Sequence, residues 1–344
     1  MKDITTTISR PLATLCLLVV LLFSSKAFGQ TDMTTVSERI MFYNVENAFW
    51  PDDDPEREDD EFTPEGARHW SKTRLRTKLT QLTRVILAAG GGKGPMLVGL
   101  AEVEGDSVMN FWTTRTPLRR TGLRYVVTEG PDVRGIQTAL LYHPSSFRLL
   151  HHDAFTVQMP EGERPTRQIL HVAGRLVTAD TLDVIVVHQP SRLGGAQQTQ
   201  AKRDAARTTL LHVADSIAAV RQAPHIIIMG DMNENPQQEI LPCTSQLVNL
   251  MYPVYQSMLR TPSAYGSHKY QGQWSVIDQF FVHPSLLGQN RLTVSDARIF
   301  SLPFMMTDDV THQGQRPLRS YYGYRYEGGY SDHLPIVLDL NISR

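Results

Sequence analysis

The residues with most to offer chemically stand where apolar runs stop. Ile226 to Met229 is wholly apolar and leads straight into Gly230-Asp231-Met232-Asn233. Such a run reads as a buried strand. Asp231 and Asn233 are two apart, so in an extended chain they point to the same side. The pattern recurs. Arg39 to Val45 runs into Asn44-Val45-Glu46-Asn47, Met96 to Ala101 ends on Glu102, and Asp183 to Val187 ends on His188. Gln273 to Val282 carries Asp278 inside it, and Tyr330-Ser331-Asp332-His333 leads into a last strand, Ile336 to Leu340. A single Asn or Asp at a strand end satisfies turn backbone, and a lone His there is more often a hydrogen-bonding residue. Carboxylates, amides and imidazoles repeated at so many strand ends can instead hold a hard divalent cation and move protons.

The elements that must bring these residues together follow from periodicity. Leu75, Leu79, Leu82, Ile86 and Ala89 have helical spacing, and Gly90-Gly91-Gly92 stops that helix. Residues 105–118 form a short helix. Tyr125–Val127 and Thr138–Tyr142 pair around a loop holding Arg134-Gly135, and 147–158 and 167–177 alternate as strands. Ala206, Leu210, Val213 and Ile217 mark a second long helix. Residues 30–38 read as a loose polar leader. Residues 301–329, rich in Tyr, Gly and Pro, read as a long irregular insertion. No repeat or linker divides the chain, so 30–344 is expected to be one domain.

With 344 residues, 41% hydrophobic and 20% charged, the composition is that of a globular enzyme-sized chain. Its formal charge of −1 excludes a global basic field for gripping nucleic acid. Lys2, Arg10, an apolar run from Leu12 to Phe23, and small residues in Ala27-Phe28-Gly29 describe a cleavable secretory signal peptide, residues 1–29. That segment holds Lys2, Arg10 and Lys26 against Asp3, a net of +2, so the mature chain carries about −3. The expected location is secreted or periplasmic. Cys243 is then the only cysteine, and no intramolecular disulfide can form.

Taken together, Gly230-Asp231-Met232-Asn233, Ser331-Asp332-His333, Asn44-Val45-Glu46-Asn47 and Glu102 resemble the motifs of the endonuclease/exonuclease/phosphatase superfamily, the DNase I-like group. They occur in that family's order across nearly the whole mature chain. Arg134-Gly135-Ile136 followed by Ala139-Leu140-Leu141-Tyr142 resembles a secreted bacterial branch. The resemblance implies an α/β (α+β) fold, a four-layer αββα sandwich of two packed, mostly antiparallel sheets. It implies phosphoester hydrolysis with Mg²⁺ (Mn²⁺ or Ca²⁺ in its place), Glu102 as the principal ligand, and Asn44, Glu46 and Asp332 completing the metal site. Asp231 would orient or deprotonate the attacking water, Asn233 would hold the phosphate, and His333 would contact it with Asp278 behind. His188 would give a proton to the leaving oxygen.

Arg134 and Arg167 are weaker candidates, as phosphate-binding residues. Glu104 could share the face of Glu102, although Gly105 marks the strand's end. His151, His152 and His171 lack zinc-type spacing and are expected to be structural. The expected substrate is nucleic acid, with a phospholipid or small phosphoester as the alternative, and the expected state is a monomer with no obligate partner. An exposed aromatic loop would favour lipid, and Phe300, Phe304, Tyr321, Tyr322, Tyr324 and Tyr326 could supply one. A catalytically silent binding protein on the same fold is the alternative of another class. Neither Glu102 nor His333 is degenerate, which argues against it.

Overall fold

A computed structural model describes residues 34–261 and 263–343. The proposed signal peptide lies outside the described residues. No described helix is long and apolar enough to cross a membrane.

In chain order the main elements are β1 (Thr35–Ala48), α1 (Lys72–Ala89), β2 (Leu97–Val103), α2 (Gly105–Arg115), β3 (Arg124–Val127) and β4 (Gln137–Tyr142). Then follow β5 (Phe147–Phe155), β6 (Ile169–Leu176), β7 (Thr181–His188), α3 (Gln200–Val220), β8 (Ile226–Asp231), β9 (Val248–Asn249) and α4 (Tyr252–Arg260). The rest are β10 (His268–Tyr270), β11 (Gln273–Ser275), β12 (Asp278–Val282), β13 (Leu292–Ile299), β14 (Met306–Asp308), β15 (Gln315–Pro317), β16 (Tyr321–Tyr322), β17 (Arg325–Tyr326) and β18 (Ile336–Ser343).

Two six-stranded sheets carry the molecule, ordered β13-β18-β1-β2-β4-β3 and β5-β6-β7-β8-β12-β9. Each has one parallel pair, β1 with β2 and β7 with β8, and is otherwise antiparallel. The helical crossovers α1 and α3 fall between the parallel partners, as parallel pairing requires. Strand alternation then sorts the core into layers. Met41, Tyr43 and Val45 of β1 pack with Leu75, Leu79 and Ile86 of α1. Ile40 and Phe42 face the other way, into a layer shared with Val184, Ile227 and Met229 of the second sheet. Ile185, Val187 and Ile228 cover Ala206, Leu210 and Ile217 of α3. Helix, sheet, sheet, helix is the expected αββα sandwich. The two sheets approach closely at Gly99, where a Cβ would sit 2.7 Å from Met229 Sδ.

This topology brings the chemistry to one edge. Parallel β1 and β2 end together, and so do β7 and β8; the antiparallel partners β12 and β18 begin there. In register, Asp231 lies between His188 of β7 and Asp278 of β12. Four details differ from the sequence reading. Pairing of β1 with β18 starts at Thr35, so the second half of the expected leader is strand. Gln273–Val282 is two strands, not one, and Asp278 opens the second, where Met232 N bonds to Ile277 O at the break. Residues 301–329 hold two small hairpins, β14–β15 and β16–β17. The expected helix over 105–118 stops at Arg115 because Thr116 is extended and Pro117 follows. Helix α4 and strand β13 were not expected. In α4 no residue is fully buried, although Val254, Tyr255 and Met258 pack on the core at helical spacing, and β13 is half-exposed for most of its length.

Candidate active site

The strand ends are locally strained. Glu46, Asn47, Glu102 and Asn233 all have positive φ, at +55°, +56°, +65° and +52°. Each such non-glycine residue costs about 1–3 kcal/mol and persists only where surrounding bonds fix it. Here they do. Asn47 N donates to Glu102 Oε2 at 2.9 Å, Glu46 N donates to Asn44 Oδ1 at 3.0 Å, and Asn233 N donates to Asp231 Oδ1 at 2.8 Å. The turns that end β1, β2 and β8 are thereby tied to the site's own side chains.

Asn44 is the hinge of the arrangement. Its Nδ2 donates to Glu102 Oε1 at 3.2 Å and to Asp231 Oδ2 at 3.1 Å. Ser331 Oγ donates to the Asn44 carbonyl at 2.7 Å and accepts from His333 N at 3.1 Å, which docks the Ser-Asp-His segment onto the end of β1. His333 Nδ1 lies 2.8 Å from Asp278 Oδ2, and its Nε2 faces Asp231 Oδ2 at 3.8 Å. His188 Nε2 approaches the same Asp231 oxygen at 3.7 Å and Glu102 Oε1 at 3.9 Å. Asn233 Nδ2 donates to Gln189 O at 2.9 Å. Asn44, Glu102, Asp231, His188 and His333 thus meet directly, with Asp278 behind His333 and Asn233 held beside Asp231.

Electrostatics separates their roles. Burial and the Asp278 carboxylate push Asp231 up to about 7, against the pull of His333. Burial lowers His333, but the facing carboxylates, Asp278 first, outweigh it and hold the imidazole well above its ordinary value. Burial and the nearby Arg167 and Arg134 hold His188 well below its ordinary value. The two histidines are thus opposite in charge state, with His333 cationic and His188 neutral. Among the described residues His188 Nδ1 has no hydrogen-bond partner, and none of their carboxylates stands behind it as Asp278 stands behind His333.

Glu102 offers what a hard divalent ion takes. The Glu102 oxygens accept only from neutral N–H groups, and among the described residues Glu102 has no ion pair with lysine or arginine. A carboxylate so placed suits Mg²⁺, Mn²⁺ or Ca²⁺, whereas Asn44 turns its Nδ2 to Glu102 and its Oδ1 to Glu46 N. Glu46 and Asp332 are engaged differently from that expectation. Arg319 Nε donates to Glu46 Oε1 at 2.7 Å, Arg319 Nη2 donates to Asp332 Oδ2 at 2.9 Å, and Ser320 N donates to Glu46 Oε2 at 3.0 Å.

The two arginines part company. Arg167 is 7% exposed, pairs with Asp132 at 3.2 Å and donates to Gln189 O at 2.7 Å, the same carbonyl that accepts from Asn233. It is a buttress of the Asn233 turn and is not placed to grip phosphate. Arg134 is half-buried, with its backbone N held by Asp132 Oδ1 at 3.0 Å. It forms no ion pair among the described residues, and its charge acts on His188. Glu104 turns away to accept from Trp50 N, and burial pushes it up to about 8.

Arg319 and His268 were missed. His268 stacks on His333 with ring centroids 4.7 Å apart and stands 3.9 Å from Asp332. Lys78 of α1, also missed, is buried beneath them and donates to Ser320 Oγ and to Tyr330 O. Its position within a helical apolar period was the one available signal: a lysine on the buried face of α1 must have a partner.

A family profile described as Endonuclease/Exonuclease/phosphatase family matches residues 39–342. The chain belongs to the endonuclease/exonuclease/phosphatase family. Family members hydrolyse phosphoesters, so the chain is a hydrolase acting on ester bonds. Its fold is similar to that of the catalytic domain of human Nocturnin, with a TM-score of 0.54 at 16% identity over 91% of this chain and 98% of that one. A family protein from Bacteroides thetaiotaomicron gives 0.54 at 14% identity over 90% and 99% of the two chains. A mannosyl-6-phosphatase from Bacteroides thetaiotaomicron gives 0.51 at 15% identity over 88% and 99%. No curated protein matches the sequence.

Proposed function

We propose that this chain is a divalent-metal-dependent phosphoester hydrolase in which Asp231 prepares water for attack on phosphorus. The observation that carries the reading is the position of Asp231, hydrogen-bonded to the metal-side Asn44 and facing both histidines. A divalent ion such as Mg²⁺, Mn²⁺ or Ca²⁺ would be held by Glu102, with Asn44 beside it, and would supply charge neutralisation on the phosphoryl oxygens. Asp231, poised near neutrality, accepts the proton of the water. His333, kept cationic by Asp278, donates to a phosphoryl or leaving oxygen. His188, held neutral, donates a hydrogen bond and carries no charge. On this reading the proton donor to the leaving oxygen, for which the resemblance suggests His188, is His333. Asn233, fixed by its bonds to Asp231 and Gln189, orients the phosphate. Arg134 approaches from the rim.

The surroundings favour a soluble phosphoester of limited size over duplex nucleic acid or membrane lipid. A cavity of about 140 Å³ opens beside Glu46 and Arg319, walled by Asn47, Phe62, Arg68 and Trp70. Most of the aromatics that could have made a lipid-facing loop are not free for it; only Tyr324 and Tyr322, 68% and 36% exposed, stay at the surface. Tyr321 is 4% exposed, and Phe300, Phe304 and Tyr326 pack against the core. Arg84, Arg74 and Arg316 cover the rings of Phe304, Tyr326 and Tyr322. A phosphodiester strand end remains the second reading, because it too presents a small leaving group to that cavity.

The test is a substrate panel: p-nitrophenyl phosphate, bis-p-nitrophenyl phosphate, a single-stranded oligonucleotide, plasmid DNA and sphingomyelin vesicles, each with Mg²⁺ and with EDTA. Turnover of the soluble esters with intact plasmid and vesicles supports the reading. Turnover that survives EDTA sinks it. Export through the 1–29 segment is part of the same proposal, supported by its charge, apolar run and small residues; N-terminal sequencing of the exported protein should begin near Gln30. A monomer is expected in sedimentation.

A further inference from the structure

We infer that Arg319 is a built-in cation of the active site, filling the acidic pair Glu46–Asp332 so that the chain binds one divalent ion, at Glu102, and not two. The inference rests on the phosphoester-hydrolase reading and deepens it. The five carboxylates of the site divide into two groups. Among the described residues Glu102 accepts only from the neutral donors Asn44 Nδ2 and Asn47 N. Asp231 and Asp278 are served by His333, with Asn44 and Asn233 completing the Asp231 oxygens.

Glu46 and Asp332, in contrast, share a guanidinium. Arg319 reaches both at 2.7 and 2.9 Å, through Nε and Nη2. A planar fork held at two carboxylates is the geometry that arginine makes and lysine does not. The second Glu46 oxygen is taken by Ser320 N at 3.0 Å. The pair also has Lys78 behind it, whose Nζ fixes Ser320 Oγ and the Tyr330 carbonyl. A divalent ion between Glu46 and Asp332 would have to expel the guanidinium and break two charged bonds. Arg319 cancels one of the pair's two negative charges, and the nearby Lys78 weakens what the pair can offer an ion further.

The arginine is not buried scaffolding. Its side chain is 33% exposed, it borders the 140 Å³ cavity beside the site, and its Nη1 makes no hydrogen bond with a described residue. It is therefore a fixed positive charge with one donor directed to what enters. The segment that carries it is anchored by Tyr330 N to Leu318 O at 2.6 Å and Gly329 N to Arg319 O at 3.2 Å. A second ion would supply that charge only at the cost of being bound; here the chain supplies it permanently.

The test counts ions. Mn²⁺ is titrated into the full chain and the free ion followed by its paramagnetic resonance signal, with thermal unfolding of each variant as a fold control. The wild type is expected to bind one Mn²⁺ per chain, lost in Glu102→Gln. Arg319→Gln is expected to bind two, and Arg319→Gln with Glu46→Gln one again. Arg319→Lys, which keeps the charge and loses the fork, should show a second ion only at least tenfold weaker than in Arg319→Gln. Two ions in the wild type overturn the inference, as does a single ion in folded Arg319→Gln at millimolar Mn²⁺. If Arg319→Gln does not fold, Glu46→Gln decides. With Arg319 retained, its ion affinity should stay within threefold of wild type, and a tenfold loss would place Glu46 on the ion and overturn the inference. A wild type that binds no ion at all would instead overturn the hydrolase reading.

Discussion

Asp278 and Asp231 are cross-strand neighbours in antiparallel β12 and β8, and His333 lies against both, 2.8 Å from one and 3.8 Å from the other. Two buried carboxylates side by side would repel. The imidazolium between them makes the pairing tolerable, and the residual repulsion leaves Asp231 a base near neutral pH.

The pH profile should follow from that triangle. Asp231 works deprotonated and sits near 7, so kcat/KM should fall as pH drops below about 7. His333 works protonated and is held high, so the basic limb should lie well above the ordinary histidine value. Asp278→Asn removes the anion that raises both groups. Both limbs should then move to lower pH, the basic one towards neutrality. A basic limb that stays in place would show that His333 is not the acid.

Arg134 and Arg167 should separate cleanly. Arg134→Ala should raise KM about tenfold, ~1.4 kcal/mol of binding, with unchanged thermal stability. Arg167→Ala leaves Asp132 buried without its partner, which costs about 3–5 kcal/mol and should be read as a lowered midpoint in denaturant. A KM effect without a stability loss for Arg167 would contradict its placement.

Gly230 allows no side chain. A Cβ there would lie 2.1 Å from the Val187 carbonyl oxygen in the neighbouring strand. Gly230→Ala must push β8 off β7 one residue before Asp231, and ~3 kcal/mol of destabilisation or more is expected from such forced packing, measured by chemical unfolding. A variant of wild-type stability would mean the β7–β8 contact is looser than described.

Glu104 gives a stability prediction with the opposite sign to an ordinary carboxylate. Its folded value near 8 exceeds the unfolded 4.5, so the folded chain holds a proton that the unfolded chain releases between those values. Stability should fall as pH rises from 4.5 to 8. Glu104→Gln should flatten that part of the curve and change activity less than threefold. A tenfold activity loss would return Glu104 to the metal site.

The legible part of this site consists of residues that interrupt apolar runs. Asn44, Glu102, His188 and Asp231 each end a strand whose burial is written in its own residues, and parallel pairing brings those ends together. Asp278 was readable as a residue but not as a strand start, because Trp274, Val276 and Ile277 continue the apolar pattern through the break. Arg319 was illegible. It lies in a segment with no period, and its partner Glu46 is 273 residues away, so only the closed fold makes them neighbours. Arg167 misled for the complementary reason: an arginine looks exposed until Asp132 and the Gln189 carbonyl are shown to bury it.

Asp231 carries the proposed mechanism most directly. The rate on bis-p-nitrophenyl phosphate at saturating Mg²⁺ should fall at least ~10³-fold in Asp231→Asn, about 4 kcal/mol of transition-state stabilisation, with KM within about threefold of wild type. Its melting temperature should hold or rise, since the substitution removes a buried carboxylate beside Asp278. A folded Asp231→Asn enzyme within tenfold of the wild-type rate would contradict water activation by Asp231.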